Sequence, residues 1–381
     1  MNILFISYSF SPNKGGVQRV TQLLANQLLK RGHQVFFLYG CNSGSESISL
    51  SDIPCFYMDK NISEPFGKES VSIYHKVLID NKINAIIMQY PLLVKSDFFF
   101  KNTIKGILKI SCFHGSPIGA LNALRENCRQ ISILGNLLNS CKYLYQKMHL
   151  QSRYKSIVNI SDYVCVLSPK YVNDIISLCP IVNREKFISI PNPNCFKVDT
   201  HLHYQKDNLI IFVGRVSDPV KNVKGFIDIW QQICYMQPDW SACIIGDDSG
   251  CDDYKRYIEK NDIKRISFVG HTNQISSFYE KAKIICMTSH HEGWPMVLTE
   301  AMSYGCVPCL YDTFGSASDI VLDGHSGFIV KPYCCDMFVN RLNYLIDSDD
   351  KFMQFSRNAS SYIKQFSIDV IVDKWETILK K

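Results

Sequence analysis

Ile3-Leu4-Phe5-Ile6-Ser7, then Pro12-Asn13-Lys14-Gly15-Gly16-Val17, then a helical pattern running from Gly16 to Lys30, decide how this chain folds. The first run is short and almost wholly apolar, which reads as a strand buried on both faces. Val17, Val20, Leu24 and Leu28 recur on one helical face, and Gly32 lies just past them, where helices commonly stop. Strand, glycine turn and helix in that order make a βα unit, and the alternation continues downstream. Further strands are predicted at 34–39, 84–89, 109–113, 163–167 and 187–190.

Pro191-Asn192-Pro193-Asn194 interrupts this rhythm, and the polar run 199–208 shows no periodicity. Together they read as a linker. The alternation then restarts, with strands predicted at 209–213, 242–246, 266–269, 284–288 and 307–311. Helices are predicted at 223–236, 254–260, 276–283 and 296–304, and 368–379 is helix-like. The expected class is α/β, with two doubly wound parallel sheets and a cleft between them. Ligands of such sheets bind at the carboxyl ends of the strands. The expected division is 1–195, 196–365 and a closing segment 366–381.

Composition narrows the class further. Of 381 residues, 46% are apolar and 20% charged, which excludes a largely disordered chain. No run approaches the ~20 apolar residues of a membrane-spanning helix. The first residues lack a basic leader region, so a cytoplasmic protein is expected. The sixteen cysteines are scattered through apolar runs such as Tyr163-Val164-Cys165-Val166-Leu167, where they act as small hydrophobes. Cys306-Val307-Pro308-Cys309 is a lone C-x-x-C with no second pair and no nearby ligand set. The net charge of +6 is uneven: residues 101–155 hold nine Lys or Arg against the single acid Glu126, a local balance of +8. Interleaved with Ile, Leu, Phe and Tyr, this stretch suits an anionic membrane surface, an anionic acceptor or a solvated basic face.

Three sites carry chemistry. Gly15-Gly16 sits between a strand and a helix, where glycines admit a ligand close to backbone and to the helix N–H groups, or simply make a turn. The spacing is not G-x-G-x-x-G, so a dinucleotide fingerprint is not supported. Phe212-Val213-Gly214-Arg215 ends a strand, and Lys221 follows six residues later. An Arg fork and a Lys ammonium so placed converge on a diphosphate, or stay solvated. Lys224 is a weaker rival to Lys221. The third site is Ser289-His290-His291-Glu292-Gly293-Trp294-Pro295-Met296-Val297-Leu298-Thr299-Glu300-Ala301-Met302. Pro295 suits the first turn of a helix. Amides near Gly293, Trp294, Pro295, Met296 and Val297 would then offer an anion or hydroxyl site, and Glu292 and Glu300 would accept from hydroxyls. His290 and His291 are adjacent and point apart, which does not make a metal set.

Glu292-x7-Glu300, with Gly293, Pro295, Ala301, Gly305 and Pro308 around it, is similar to the signature of family 4 nucleotide-sugar glycosyltransferases. Gly15-Gly16 resembles that family's N-terminal glycine pair, and Gly214-Arg215 with Lys221 its donor-phosphate arginine and lysine. Gly32-His33-Gln34-Val35 and Ile190-Pro191-Asn192 resemble two further steps. The resemblance implies two facing Rossmann-like domains (GT-B), an acceptor domain first and a nucleotide-sugar donor domain second. It also implies transfer with retention of configuration, no metal cofactor, and a terminal helix crossing back to the first domain. Carried onto this chain, Arg215 and Lys221 bind the diphosphate, and Glu300 the nucleotide ribose. Glu292 and the 293–297 backbone hold the sugar, with Gly214 beside it and Gly16 under the phosphates. His114, in Cys112-Phe113-His114-Gly115, lies near the transferred sugar or sits in an ordinary turn, and Asp319 matches an acidic position of the family.

The function expected is sugar transfer from a nucleotide-diphosphate donor to a hydroxyl of a glycan or lipid-linked saccharide in cell-surface polysaccharide or glycolipid synthesis. Partners expected are donor, acceptor and, through 101–155, a membrane surface, with no nucleic acid. The alternatives are an epimerase of the same fold, which needs no acceptor, a family member directed to sucrose or a polymer, and an inactive partner subunit that binds nucleotide-sugar.

Overall fold

A computed structural model describes residues 1–11, 15–39, 53–58, 66–92, 97–119, 121–122, 133–198, 206–247 and 249–381. The chain divides into two compact units, Met1–Pro193 with Ile368–Lys381, and Asn194–Ser367.

The first unit holds a seven-stranded parallel sheet: β1 Asn2–Ser7, β2 Gln34–Tyr39, β3 Cys55–Tyr57, β4 Ala85–Met88, β5 Leu108–Phe113, β6 Tyr163–Val166 and β7 Phe187–Ser189. Its order is β3-β2-β1-β4-β5-β6-β7. In β1, Phe5 aligns with Phe37 of β2 on one side and Ile87 of β4 on the other. The apolar run of β1 is continuous because both of its faces are covered. Ile3 and Phe5 join Leu24, Leu28 and Phe37 on one side of the sheet, whereas Leu4 and Ile6 join Leu38, Tyr74 and Ile86 on the other. Each such side chain gains roughly 1.5–3 kcal/mol on full burial. The helix Gly16–Lys30 occupies the predicted residues. Against it packs the terminal helix Ile368–Leu379, which contributes Ile371, Val372, Trp375 and Ile378 to the same core. Arg31 pairs with Asp373, and Glu376 lies 3.1 Å from His33 Nε2.

The second unit holds a six-stranded parallel sheet: β8 Asp207–Val213, β9 Ser241–Ile245, β10 Ile266–Gly270, β11 Ala282–Met287, β12 Val307–Tyr311 and β13 Phe328–Val330, ordered β10-β9-β8-β11-β12-β13. Three expectations need adjusting. Asp207 and Asn208 are strand rather than linker, and 199–205 lie outside the described residues. The helix predicted over 276–283 is Ile275–Lys281, because Ala282 already pairs with Asp207 in the sheet. The helix predicted to 236 ends at Ile233, since Pro238 cannot continue it. Both sheets reverse their strand order beside their first strand, at β1/β4 and at β8/β11. The splayed carboxyl ends there leave room for a ligand.

Candidate functional site

In the second unit, two loops leave the β8/β11 switch point. The first opens with Gly214, whose N–H donates to the Ile245 carbonyl at 3.0 Å. A Cβ at Gly246 would stand 1.9 Å from the Gly214 oxygen, so these two strand ends meet backbone to backbone and only glycine fits. The next residue, Asp247, accepts from the Val216 N–H and from the hydroxyls of Ser217 and Ser249. Burial alone would raise its pKa, but these hydrogen bonds outweigh burial and hold it at about 2. Asp247 thereby ties down the loop that carries Arg215. The Arg215 guanidinium donates to Asp218 at 2.8 Å and stays exposed.

Lys221 ends a single 3₁₀ turn, Pro219–Lys221, capped by Asp218. Asn222 then takes a left-handed conformation, φ 52°. Its side chain accepts from the Gly225 N–H at 3.1 Å, opening the helix Val223–Ile233, and donates to the Thr288 carbonyl at 3.1 Å. Thr288 Oγ1 donates back to the Asn222 carbonyl at 2.8 Å, and the His290 N–H to the Val220 carbonyl at 2.8 Å. The loop after β8 is thus stitched to the loop after β11. The result is an ion pair, Lys221 Nζ to Glu292 Oε1 at 2.6 Å, with both side chains largely shielded from solvent. Lys224, by contrast, pairs with Asp228 on the face of its own helix and lies over the Tyr257 ring.

Beyond Glu292, the Ser316 hydroxyl donates to the Gly293 carbonyl at 2.7 Å. Trp294 is buried with its ring edge-on to Phe366, which leaves its backbone as the part offered to a ligand. Pro295 is the N-cap of the helix Met296–Ser303 rather than a first-turn residue, and no acid occupies that first turn. The amides at Met296 and Val297 therefore have no capping side chain in competition. Glu300 lies on the buried face of this helix, and the Tyr279 hydroxyl donates to its Oε2 at 3.0 Å. Asp319 sits in the short helix Ala317–Ile320.

At the first unit's switch point the described strand-end side chains are aromatic or amide, while Lys14 and Lys95 of its two loops lie outside the described residues. Gly15 caps the helix Gly16–Lys30 at φ 153°, where a Cβ would press on Gln18 Oε1 at 3.3 Å. Gly16 is its first residue; Pro12, Asn13 and Lys14 lie outside the described residues. Buried Gln18 donates to the Tyr8 hydroxyl at 3.0 Å, and the Tyr8 and Tyr90 rings lie 4.5 Å apart. His114 follows β5 and donates through Nε2 to Gln89 Oε1. Burial holds the imidazole neutral, with its pKa lowered to about 4. Beside it Tyr90, Pro91, Leu92, Phe113 and Tyr154 line a pocket of about 220 Å³.

The structure therefore brings Arg215, Gly214, Lys221, Glu292, Gly293 and the start of the helix Met296–Ser303 to one sheet edge. Gly15, Gly16 and His114 stand at the edge of the other unit. Asp247, Asn222, Gln89, Tyr8 and Tyr90 were missed by sequence reasoning. Asp247 carried a signal, following a glycine at a strand end as Arg215 does, and Asn222 is an N-cap residue type just ahead of a helix. Cys306 and Cys309 are buried, and burial pushes both thiols up, away from the thiolate that redox chemistry needs. Among the described residues no three His, Cys, Asp or Glu gather as a metal site.

Residues 196–362 match the family model of glycosyl transferases group 1. Over nearly the whole of both chains, this one is 24% identical to an uncharacterized glycosyltransferase of Haemophilus influenzae (96% of each chain). It is 25% identical to a Campylobacter jejuni α-1,4-N-acetyl-D-galactosaminyltransferase whose name gives an undecaprenol-diphosphate-linked substrate (98% and 97%). Its fold is shared by Anabaena HepE crystallised with UDP and glucose, at TM-score 0.72, 19% identity and 100% and 99% coverage. A Thermosynechococcus elongatus sucrose-phosphate synthase superposes at TM-score 0.77, with 14% identity and 100% and 98% coverage. The chain is a glycosyltransferase with the Rossmann-like units of the GT-B fold. Its second unit carries the group 1 glycosyl transferase region.

Proposed function

We propose that this glycosyltransferase moves a sugar from a nucleotide-diphosphate donor held by the second unit to a hydroxyl of a saccharide acceptor held by the first, with retention of configuration and without a metal. The observation that carries the reading is the Lys221–Glu292 pair at 2.6 Å, beside the exposed Arg215 and an uncapped helix start on one sheet edge. As the glycosidic bond breaks, negative charge grows on the departing diphosphate. Arg215, Lys221 and the amides at Met296 and Val297 stabilise that charge more in the transition state than before it, which is what accelerates transfer. Glu292 orients Lys221 and accepts from sugar hydroxyls. Its commitment to that ammonium argues for a binding role rather than a nucleophile, and leaves a same-face attack in which a donor phosphate oxygen takes the acceptor proton. Glu300 serves the nucleotide ribose in this reading.

The acceptor is a lipid-linked or cell-surface saccharide, assembled at the cytoplasmic face of a membrane. Support comes from the Campylobacter relative and from an Escherichia coli relative named for a diphosphoundecaprenol-linked acceptor, 29% identical over 51% of this chain. The aromatic side chains Tyr8 and Tyr90 at the first unit's edge support it too, since aromatic ring faces suit a sugar better than a phosphate. The test is nucleotide release from a panel of nucleotide-sugars, with and without lipid-linked saccharides. Acceptor-dependent release that collapses in Arg215→Ala and Lys221→Ala upholds the reading. Turnover at the parent rate in both variants defeats it, and turnover to an isomerised donor without acceptor replaces it by epimerisation.

A further inference from the structure

Among the described residues, the excess of positive charge between 101 and 155 does not form one patch. Lys101 pairs with Asp97, Lys109 lies within β5, and Arg125, Glu126 and Arg129 lie outside the described residues. The charge that remains together is on one long helix, Ile133–Ile160, whose 28 residues include Lys142, Lys147, Arg153 and Lys155 and no acid. Its inner side is anchored: Tyr154, Ile157 and Val158 are buried, the Tyr154 hydroxyl donates to the Pro117 carbonyl at 3.3 Å, and Arg153 donates to the Pro91 carbonyl at 3.3 Å.

Its outer side is apolar. Leu144 is 56% exposed, Tyr145 70% and Met148 68%. At about 100° per residue these three fall within one stripe about 100° wide, with Lys142 along its border and Lys155 further down the same side. Single exposed hydrophobes are ordinary, but three on adjoining positions of one helix form a contiguous patch. No described helix is long and apolar enough to cross a membrane. A short apolar stripe edged by lysines has instead the pattern of a helix lying in the plane of an interface, its apolar side chains among the acyl-chain ends and its ammoniums at the phosphates.

We propose that the outer face of the helix Ile133–Ile160 docks on an anionic lipid surface, with Leu144, Tyr145 and Met148 entering the headgroup layer and Lys142 and Lys155 meeting lipid phosphates. The proposal builds on the reading of a membrane-borne acceptor, and names the surface that brings the enzyme to it. The pocket beside His114 is tied to this helix through Tyr154 and Arg153, so docking would bring that pocket close to the headgroups.

Flotation of the full chain tests this with vesicles of phosphatidylcholine alone and of phosphatidylcholine with phosphatidylglycerol. Binding is expected only to the anionic vesicles, and is expected to fall as salt rises. The double variant K142E/K155E should weaken it about twenty-five-fold, from roughly fivefold per lysine near an anionic surface. L144S/Y145S/M148S should weaken it at low salt as well as high, and Tyr145→Trp should show a blue-shifted emission only with anionic vesicles. Nucleotide release with a soluble acceptor is expected to survive in all three variants, which separates this proposal from the transfer reading. A parent protein that turns over donor but does not float overturns the docking and leaves the transfer intact. Equal flotation of parent and variants also overturns it, as does pairing of two copies through this face that vesicles fail to compete away.

Discussion

The two sheets share one topology but carry opposite chemistry at their switch points. The β8/β11 edge gathers Arg215, Asp218, Lys221, Asp247 and Glu292, all ionisable and mostly paired. Among the described residues the β1/β4 edge, with β5 beside it, gathers Tyr8, Gln18, Gln89, Tyr90 and a His114 that burial keeps neutral near pH 7. A doubly wound sheet dictates where a ligand binds but not which ligand, because the strand-end loops choose the side chains. Cations poised near counter-ions suit a ligand whose charge grows during reaction. Neutral aromatic and amide groups suit a ligand with hydroxyls and apolar ring faces. The contrast is what the proposed division of donor and acceptor between the two units rests on.

The largest effect should come from breaking the charged edge. Lys221→Ala is expected to lower the rate of donor turnover by a hundredfold or more, about 3 kcal/mol, and also to lower the unfolding temperature, because it removes the ammonium from a shielded Glu292 carboxylate. The exchanged pair Lys221→Glu with Glu292→Lys sharpens this, since it restores an ion pair but moves the cation. It should match the parent in unfolding temperature more closely than either single variant and still fail to transfer sugar. Recovery of activity in the exchanged pair would show that the site needs only neutrality there.

The neutral edge should respond more weakly. His114→Ala removes a hydrogen-bonded ring that carries no charge near pH 7, so its loss in kcat is expected to be about tenfold, the scale of one hydrogen bond. The folded pKa of His114, about 4, lies below the unfolded value, so the unfolded chain binds a proton first as pH falls. The parent should therefore lose stability between about pH 6.5 and 4, and His114→Gln should flatten that part of the urea-unfolding profile. A matching activity limb near pH 6.5 would contradict a permanently neutral imidazole.

Asp247→Asn addresses the support of the charged edge. Its folded pKa of about 2 lies below the unfolded value, so the stabilisation is complete above the unfolded pKa and is lost as pH falls toward 2. Discounted for solvent screening, a loss of about 1 kcal/mol is expected near pH 7. Urea unfolding of the parent and the variant should converge in acid. The smallest effect lies away from both edges, where Glu376 is held below its usual pKa by the hydrogen bond from His33 and then by Lys380 and Arg31, against opposing burial. Glu376→Gln should cost roughly 0.5–1 kcal/mol at neutral pH, and the difference should vanish as acid protonates the parent carboxylate.

Much of the architecture was legible in the chain itself. β1, β2, β12 and the helices Gly16–Lys30 and Ile368–Leu379 follow from apolar runs and helical spacing, because a strand covered on both faces and a helix covered on one leave different periods. Gly214-Arg215, Lys221 and Glu292 were legible as polar or charged groups on loops that follow strands. β3 and β13 were not, being strands of only three residues held by their neighbours rather than by a pattern of their own.

The sequence by itself determined which residues could be buried and which types of group stood at the ends of strands. Only the tertiary structure decided the strand order, the side of each sheet on which a helix lies, and the meetings between distant residues. Lys221 finds Glu292 across 71 positions, and Arg31 finds Asp373 across 342. Local patterns record whether a side chain leaves water, whereas a partner in space is set by the packing of whole sheets and helices, which no window of neighbouring residues contains.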